Sequence, residues 1–320
     1  MHDFFISEVQ ISALCLTFAC MKYTMKLSGE KAVCAETRDD QTENSLEKFW
    51  KGWAEDMILA IDIGNTNIVI GCIDGEKIAF EERLYTDLKK TELEYAISFK
   101  TVLEIYEVDA AEITGGIISS VVPPVTATVR RAAEKIIDKK ILEVGPGVKT
   151  GLDIKIDNPA QLGPDLAVGA VAGIAEYSCP LAVIDMGTAT TITVVNEKQQ
   201  VIGGMIMPGV GPSLDSLITR TSQLPKISME EAPKRFIGRN TVDCMKSGII
   251  YGTAANLDGM IERVEEELGK PVTVVATGGM AKYIIPHCRK KIALDDELLL
   301  KGLKLIYDRN QRPEAKKFPG

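Results

Sequence analysis

The sequence predicts an α/β protein made of two similar domains that face one another across a ligand cleft. Three observations predict it. A strand–turn–strand unit, Ile58–Ile61 and Ile68–Ile70 around the polar turn Asp62–Asn67, returns as Leu181–Val195 around Asp185-Met186-Gly187-Thr188. Each copy is followed by helical periodicity and then by a continuous apolar run of the kind that forms a buried parallel strand. A last apolar run, Val272–Ala276, ends in Thr277-Gly278-Gly279. Two copies of one supersecondary unit imply a duplicated fold, and the cleft between them is the natural place for a ligand.

Composition narrows the function classes. At 320 residues and 45% hydrophobic content there is enough apolar chain for two cores. A formal charge of −8 and a pI near 5.1 argue against nucleic acid or an anionic membrane surface as the partner. The seven cysteines form no C-x-x-C pair, and with only His2 and His287 there is no credible zinc set. Reduced thiols in a cytoplasmic protein fit this usage. A lone His287 beside Pro286 reads as structural or exposed more readily than as a base. No apolar run reaches the length of a membrane-spanning helix.

Residues 1–56 differ from the rest. Ile11–Cys20 has the length of a signal-peptide core, but Asp3 and Glu8 precede it where basic residues belong, and no A-x-A-like site follows. Arg38–Lys51 is polar and charged like a solvated tether. Met57 stands directly before the first strand. Residues 1–56 are therefore expected to be an appended, poorly ordered segment or a misassigned start, with domains at 57–175 and 176–310 and a polar tail at 311–320.

From Met57 the elements follow in order. Lys77–Tyr85 adds a third strand after the turn Asp74-Gly75. Thr91–Tyr106 is helical, with Leu93, Ala96, Ile97, Leu103 and Tyr106 on one face. Gly116–Val122 is a central parallel strand, and Pro123-Pro124 opens a helix whose Val125, Val129, Ala132 and Ile136 recur at helical spacing. Ile141–Val144 is a further short strand. In the second copy Asn196–Gln200 turns into the strand Val201–Ile206, and Thr241–Leu268 is helical. After Val272–Ala276 a helix-like Met280–Ile285 follows.

The turns carry the chemistry. In Asp62–Asn67, glycine permits close backbone approach, Asn65 and Thr66 can donate hydrogen bonds, and Asp62 can hold a phosphate-bound Mg²⁺. An ordinary Asx-rich hairpin turn uses the same residues. Strand, double glycine, helix lets a flat ring or a phosphate lie against backbone. As the third member of a series with Asp62 and Asp185, Gly278-Gly279 points to a nucleotide.

These three motifs resemble the actin-like ATPase superfamily, which includes acetate and sugar kinases and the Hsp70 chaperones. Asp62–Gly71, Ile118–Pro124, Gly145–Gly147, Thr150–Leu152, Asp157–Pro159, Gly163–Asp165, Asp185–Thr191, Pro208-Gly209, Gly238–Thr241 and Ala276–Gly279 together are similar to type III pantothenate kinase, over roughly Met57–Asn310. The resemblance implies two ribonuclease-H-like (actin-like) domains with an interdomain nucleotide cleft. It places the ATP phosphate loop on Asp62, Ile63, Gly64, Asn65, Thr66, Asn67, Ile68 and Val69. It puts the proton acceptor for the pantothenate hydroxyl on Asp165, a monovalent-cation ligand (K⁺ or NH₄⁺) on Asp185 and a second nucleotide contact on Thr188. The adenosine side falls on Gly278 and Gly279. The pantothenate loop corresponds to Gly163, Pro164, Asp165 and Leu166, and Thr241 reaches in from the partner of a homodimer. From position alone, Asp165 also suits the N-cap of a helix over Leu166–Tyr177.

Two positions depart from the family pattern, and both lie on the acid substrate's side. Leu166 stands where the family has an arginine able to pair with the pantothenate carboxylate. Ile156 replaces an aromatic before Asp157-Asn158-Pro159. Losing the charged hydrogen bond would cost roughly 1.5–3 kcal/mol. The expected function is ATP-dependent phosphorylation of pantothenate to 4′-phosphopantothenate, the first step of coenzyme A biosynthesis, with Mg²⁺ and a monovalent cation. The alternatives are a nucleotide-binding accessory protein with impaired catalysis and a kinase for a pantothenate-like alcohol.

Overall fold

Five consecutive apolar or small residues before Asp62 demand a strand buried on both faces, and this strand becomes the centre of the first sheet. The computed structural model describes residues 57–311, so the expectations for residues 1–56 and for most of the tail lie outside the described residues. Strands β1 (Met57–Ile63), β2 (Asn67–Asp74), β3 (Lys77–Tyr85), β4 (Ile113–Ser120) and β5 (Ile141–Glu143) form a sheet ordered β3-β2-β1-β4-β5. The first three are an antiparallel meander, and β4 and β5 run parallel to β1. The β2–β3 turn is Gly75-Glu76, one residue later than expected, because Asp74 pairs with Lys77 and Gly75 takes the left-handed backbone (φ 59).

The second sheet repeats the plan. Strands β7 (Leu181–Met186), β8 (Ala189–Val195) and β9 (Gln200–Pro208) form the meander, while β10 (Thr273–Thr277) and β11 (Ala293–Leu294) run parallel to β7 on its other side. The order β11-β10-β7-β8-β9 matches that of the first sheet. A two-residue strand, β6 (Asp153–Ile154), joins the free edge of β9. The duplicated ribonuclease-H-like fold is therefore present.

Helices cover the sheets according to their apolar faces. Helix α1 (Glu92–Ile105) starts in a capping box between Thr91 and Glu94, and α2 (Pro123–Ile137) starts on its prolines and ends at Asp138 in a left-handed cap. Both close one face of the first sheet. The expected face of α1 is corrected. Tyr95, Ala96, Phe99, Val102 and Leu103 are buried, whereas Leu93 and Ile97 are 60% and 56% exposed. The two aromatics bury more area than the aliphatics they displace, and the Tyr95 hydroxyl bonds the Asp87 backbone. On the outer face of the second sheet lie α4 (Val210–Thr219), α5 (Thr241–Leu268) and the single turn α6 (Ala281–Ile284). The expected helix over Met280–Ile285 is thus only that turn, running into a 3₁₀ turn at Ile285–His287.

Helix α3 (Pro164–Glu176) lies between the sheets. Its Val168 and Val171 pack with Ile58, Ala60 and Ile117 of the first sheet, and its Ala170 and Ala172 pack with Leu181, Val183 and Val275 of the second. Every residue from Ala167 to Gly173 is buried. Helix α7 (Leu298–Gln311) packs beside α3 on the same face of the first sheet through Leu303 and Ile306. Among the described residues, no helix is long and apolar enough to cross a membrane.

Candidate active site

Sheet register delivers the acidic residues to one place. Asp62 is the last residue but one of β1 and Asp185 the last but one of β7, the central strands of the two sheets, and Asp185 pairs with Thr191 and Thr277. The start of α3 brings in Asp165. All three carboxylates line a cleft of about 480 Å³, together with Gly64, Asn65, Thr66, Asn67, Val69, Thr188, Gly278 and Gly279.

Each turn has a local cause. The Gly64 N–H donates to the Asn67 carbonyl at 2.9 Å, and the Thr86 hydroxyl donates to the Gly64 carbonyl at 2.7 Å. Buried Thr86 thereby fixes the turn while Asn65, Thr66 and Asn67 stay exposed. Across the cleft the hydroxyls of Thr66 and Thr188 share a hydrogen bond of 2.7 Å, so the two hairpin turns meet directly. Gly278 is held at φ 96, and a Cβ there would stand 2.6 Å from Asp185 Oδ1 and 2.7 Å from the Met186 backbone. Only glycine lets the third turn lie against the second.

The electrostatics are strongly anionic. Burial first, and then the charges of Asp165 and Asp185, push the Asp62 carboxyl up to about 7. Desolvation and the charge of Asp165 push Asp185 up to about 6. Asp165 is itself raised by burial, partly offset by hydrogen bonds from the backbone N–H groups of Leu166 and of Asp165 itself. The alternative that position alone allowed, Asp165 as N-cap, does not hold. The cap residue is Gly163, and Asp165 lies inside the first turn, because Pro164 opens the helix two residues earlier than expected.

The donor set fits hard cations. Thr191 Oγ1 is buried with no hydrogen-bond partner, and Thr191 shares a small side cavity with Asp165, Asp185 and Leu166. An orphaned hydroxyl oxygen beside ionisable carboxylates suits K⁺ or Mg²⁺. Among the described residues, no three acidic, His or Cys side chains converge closely enough to hold a metal alone. A cation here would complete its shell with phosphate oxygens and water, the usual habit of Mg²⁺.

The remaining expected residues lie elsewhere. The side chains of Ile63 and Ile68 are buried in the first core, so only their backbone remains for a ligand. Gly163 and Pro164 open α3 without lining the cleft. Half-buried Ile156 and exposed Thr241, the first residue of α5, are also outside it. His287 sets its ring edge-on to Tyr251, away from the cleft. Glu81, Arg83, Asp296 and Leu299 line the cleft without having been expected. For Glu81 and Arg83 a signal existed: period-two alternation on β3 puts both on one face.

Comparison with known proteins identifies the family of the sequence. The family described as type III pantothenate kinase matches residues 58–263. A type III pantothenate kinase of Exiguobacterium sp. (strain ATCC BAA-1283 / AT1b) is 44% identical over 256 residues, covering 80% of this chain and 100% of its own. That of Brevibacillus brevis (strain 47 / JCM 6285 / NBRC 100599) is 44% identical over 255 residues, with 80% and 100% covered. Among solved structures, the activator of the 2-hydroxyisocaproyl-CoA dehydratase from Clostridium difficile aligns with a TM-score of 0.49 at 14% identity, over 82% of this chain and 100% of its own. On its sequence, over most of its length, the chain belongs to the type III pantothenate kinase family.

Proposed function

We propose that the protein transfers the γ-phosphoryl group of ATP to the primary hydroxyl of pantothenate, giving 4′-phosphopantothenate and ADP, the first step of coenzyme A biosynthesis. One observation carries the reading. Asp62, Asp165 and Asp185, from two copies of one motif and the helix between them, converge on a cleft walled by two polar hairpin turns and a glycine turn.

Phosphoryl transfer needs alignment and charge neutralisation more than covalent help. The turns Gly64–Asn67 and Gly187-Thr188 hold the phosphate chain with backbone N–H and hydroxyl donors, once the Thr66–Thr188 bond yields to phosphate oxygens. The close approach permitted by Gly278 and Gly279 leaves the adenosine side against backbone. Asp165, ionised, orients the pantothenate hydroxyl and accepts its proton as the bond to phosphorus forms. Its proton affinity, raised by burial, suits a proton acceptor. Bound cations would neutralise triphosphate charge: Mg²⁺ at Asp62 through the phosphates, and K⁺ or NH₄⁺ at Asp185 with Thr191 nearby.

Leu166 lies beside Asp165 in the side cavity and supplies no charge for the pantothenate carboxylate. In this reading Thr241, exposed at the start of α5, contributes from the partner of a homodimer, and the enzyme works in the cytoplasm. No comparison favours the non-catalytic alternative or a different alcohol. The test is to incubate the purified full-length chain with radiolabelled pantothenate, ATP, Mg²⁺ and K⁺. Labelled 4′-phosphopantothenate is expected. Tight ATP binding with no product at millimolar pantothenate would refute the reading.

A further inference from the structure

Five carboxylates line the cleft, those of Asp62, Glu81, Asp165, Asp185 and Asp296, yet among the described residues only one cationic side chain does so, that of Arg83. Its position follows from pairing. Asp62 pairs with Val69 and Val69 with Arg83, so all three side chains stand in one row on one face of the first sheet. Strand spacing puts the Arg83 backbone about 10 Å from that of Asp62. The guanidinium is anchored at one corner by Glu81, two residues earlier on the same face, with Nη2 at 3.0 Å from Oε1. At another corner Nη1 lies 3.1 Å from where a Cβ on Gly279 would stand, so the side chain crosses from the first sheet to the glycine turn of the second.

We propose that Arg83 grips the non-transferred phosphates of the nucleotide. The proposal rests on the ATP-binding part of the function proposed above. A polyphosphate entering a cleft with five carboxylates meets one direct protein countercharge, and its planar fork matches two phosphate oxygens at once. Arg83 stands between the Asp62 end of the row and the glycine turn, which places it along the phosphates that ADP retains. Its pair with Glu81 is partly solvated, with side chains 38% and 18% exposed, and such a pair yields readily to a phosphate.

The test is calorimetric titration of full-length wild type, Arg83→Gln and Arg83→Lys with ATP, ADP and adenosine, in Mg²⁺ and K⁺ and without pantothenate. Arg83→Gln is expected to weaken ATP and ADP by roughly ten- to hundredfold. Adenosine should stay within about twofold, which also reports that the variant is folded, and Arg83→Lys should fall between the two. An unchanged ADP affinity in Arg83→Gln overturns the proposal. Equal loss for adenosine and ADP also overturns it, because the guanidinium would then lie on the base. Wild type that binds no ATP removes the function proposed above and this assignment with it, whereas loss of turnover with these affinities as expected touches only the acceptor side.

Discussion

The two strand–turn–strand copies share a backbone and differ in what they hang on it. In the first, the N–H of Thr86, just past β3, donates to the Thr66 carbonyl at 2.9 Å; in the second, the N–H of Gly209, just past β9, donates to the Thr188 carbonyl at 3.2 Å. Beyond that bond the copies diverge. Thr86 adds a hydroxyl that pins Gly64, whereas Gly209 has no side chain, and a Cβ there would collide with the carbonyls of Gly187 and Thr188. The row Asp62–Val69–Arg83 has its counterpart in Asp185–Thr191–Ile206, where a 76% exposed isoleucine replaces the arginine. One motif thus supplies a braced turn with a cationic outer position in the first copy and a lean turn with an apolar outer position in the second. The difference teaches that duplication conserved the strand geometry while the outer row was free to specialise.

The largest expected effect comes from the group shared by both copies. Asp165 raises the proton affinity of both Asp62 and Asp185, so Asp165→Asn should relieve both while removing the proposed proton acceptor. We predict a fall in kcat of about 10²- to 10⁴-fold with ATP affinity kept or improved. A variant retaining more than about a tenth of wild-type turnover would show that Asp165 is not the base.

Next, Asp62→Asn and Asp185→Asn should separate the copies by cation. Activity titrated against Mg²⁺ and K⁺ should show the first variant losing roughly ten- to hundredfold in Mg²⁺ dependence and the second losing its response to K⁺. Identical profiles for the two would erase the functional distinction between the copies.

The pH dependence has a definite sign. Both carboxyls are raised, so the ligand-free folded protein holds protons that the unfolded chain releases. Their ionisation costs stability as pH rises through about 6 and 7, and the cost disappears as pH falls towards the ordinary value of 3.8. A bound cation favours the ionised forms, so Mg²⁺ and nucleotide should bind more tightly at pH 8 than at pH 6, with proton release. Calorimetry in buffers of different ionisation enthalpy checks this, and proton uptake would contradict it.

The smallest effect tests the brace itself. Thr86→Val removes one buried hydrogen bond to the Gly64 carbonyl and should cost about 1 kcal/mol, seen as a drop of a few degrees in melting temperature with a modest rise in KM for ATP. An equal change in a Gly209→Ala variant is not expected, since that residue fails by collision and should lose more.

Much of this organisation was legible because its causes are local. Asp, Gly, Asn and Thr between apolar runs announce both hairpins, and Asn240 and Gly269 bound α5 as cap and stop. What stayed hidden depends on partners distant in the chain. β6 and β11 are two-residue strands that exist only because β9 and β10 pair with them. The buried side of α1 depended on which of two apolar stripes offered more area. Leu166 could be flagged as unorthodox, but its place beside Asp185 needed the fold. Arg83 required the register of three strands, which no single stretch encodes.

The helix between the sheets acts as a shim. Its small residues let strands approach: a Cβ on Gly173 would stand 2.8 Å from Leu181 and 2.9 Å from Val183, and Gly302 of α7 sits equally tight on the Val168 backbone. The gap between the two sheets is therefore machined by hydrogen atoms in place of methyl groups, in a helix whose first turn carries Asp165. Thickening that shim by one carbon would splay the two halves where no ligand ever touches, and a misalignment of about 1 Å can slow chemistry roughly a hundredfold. In this protein the tolerances of the reaction are written as much into its glycines as into its acids.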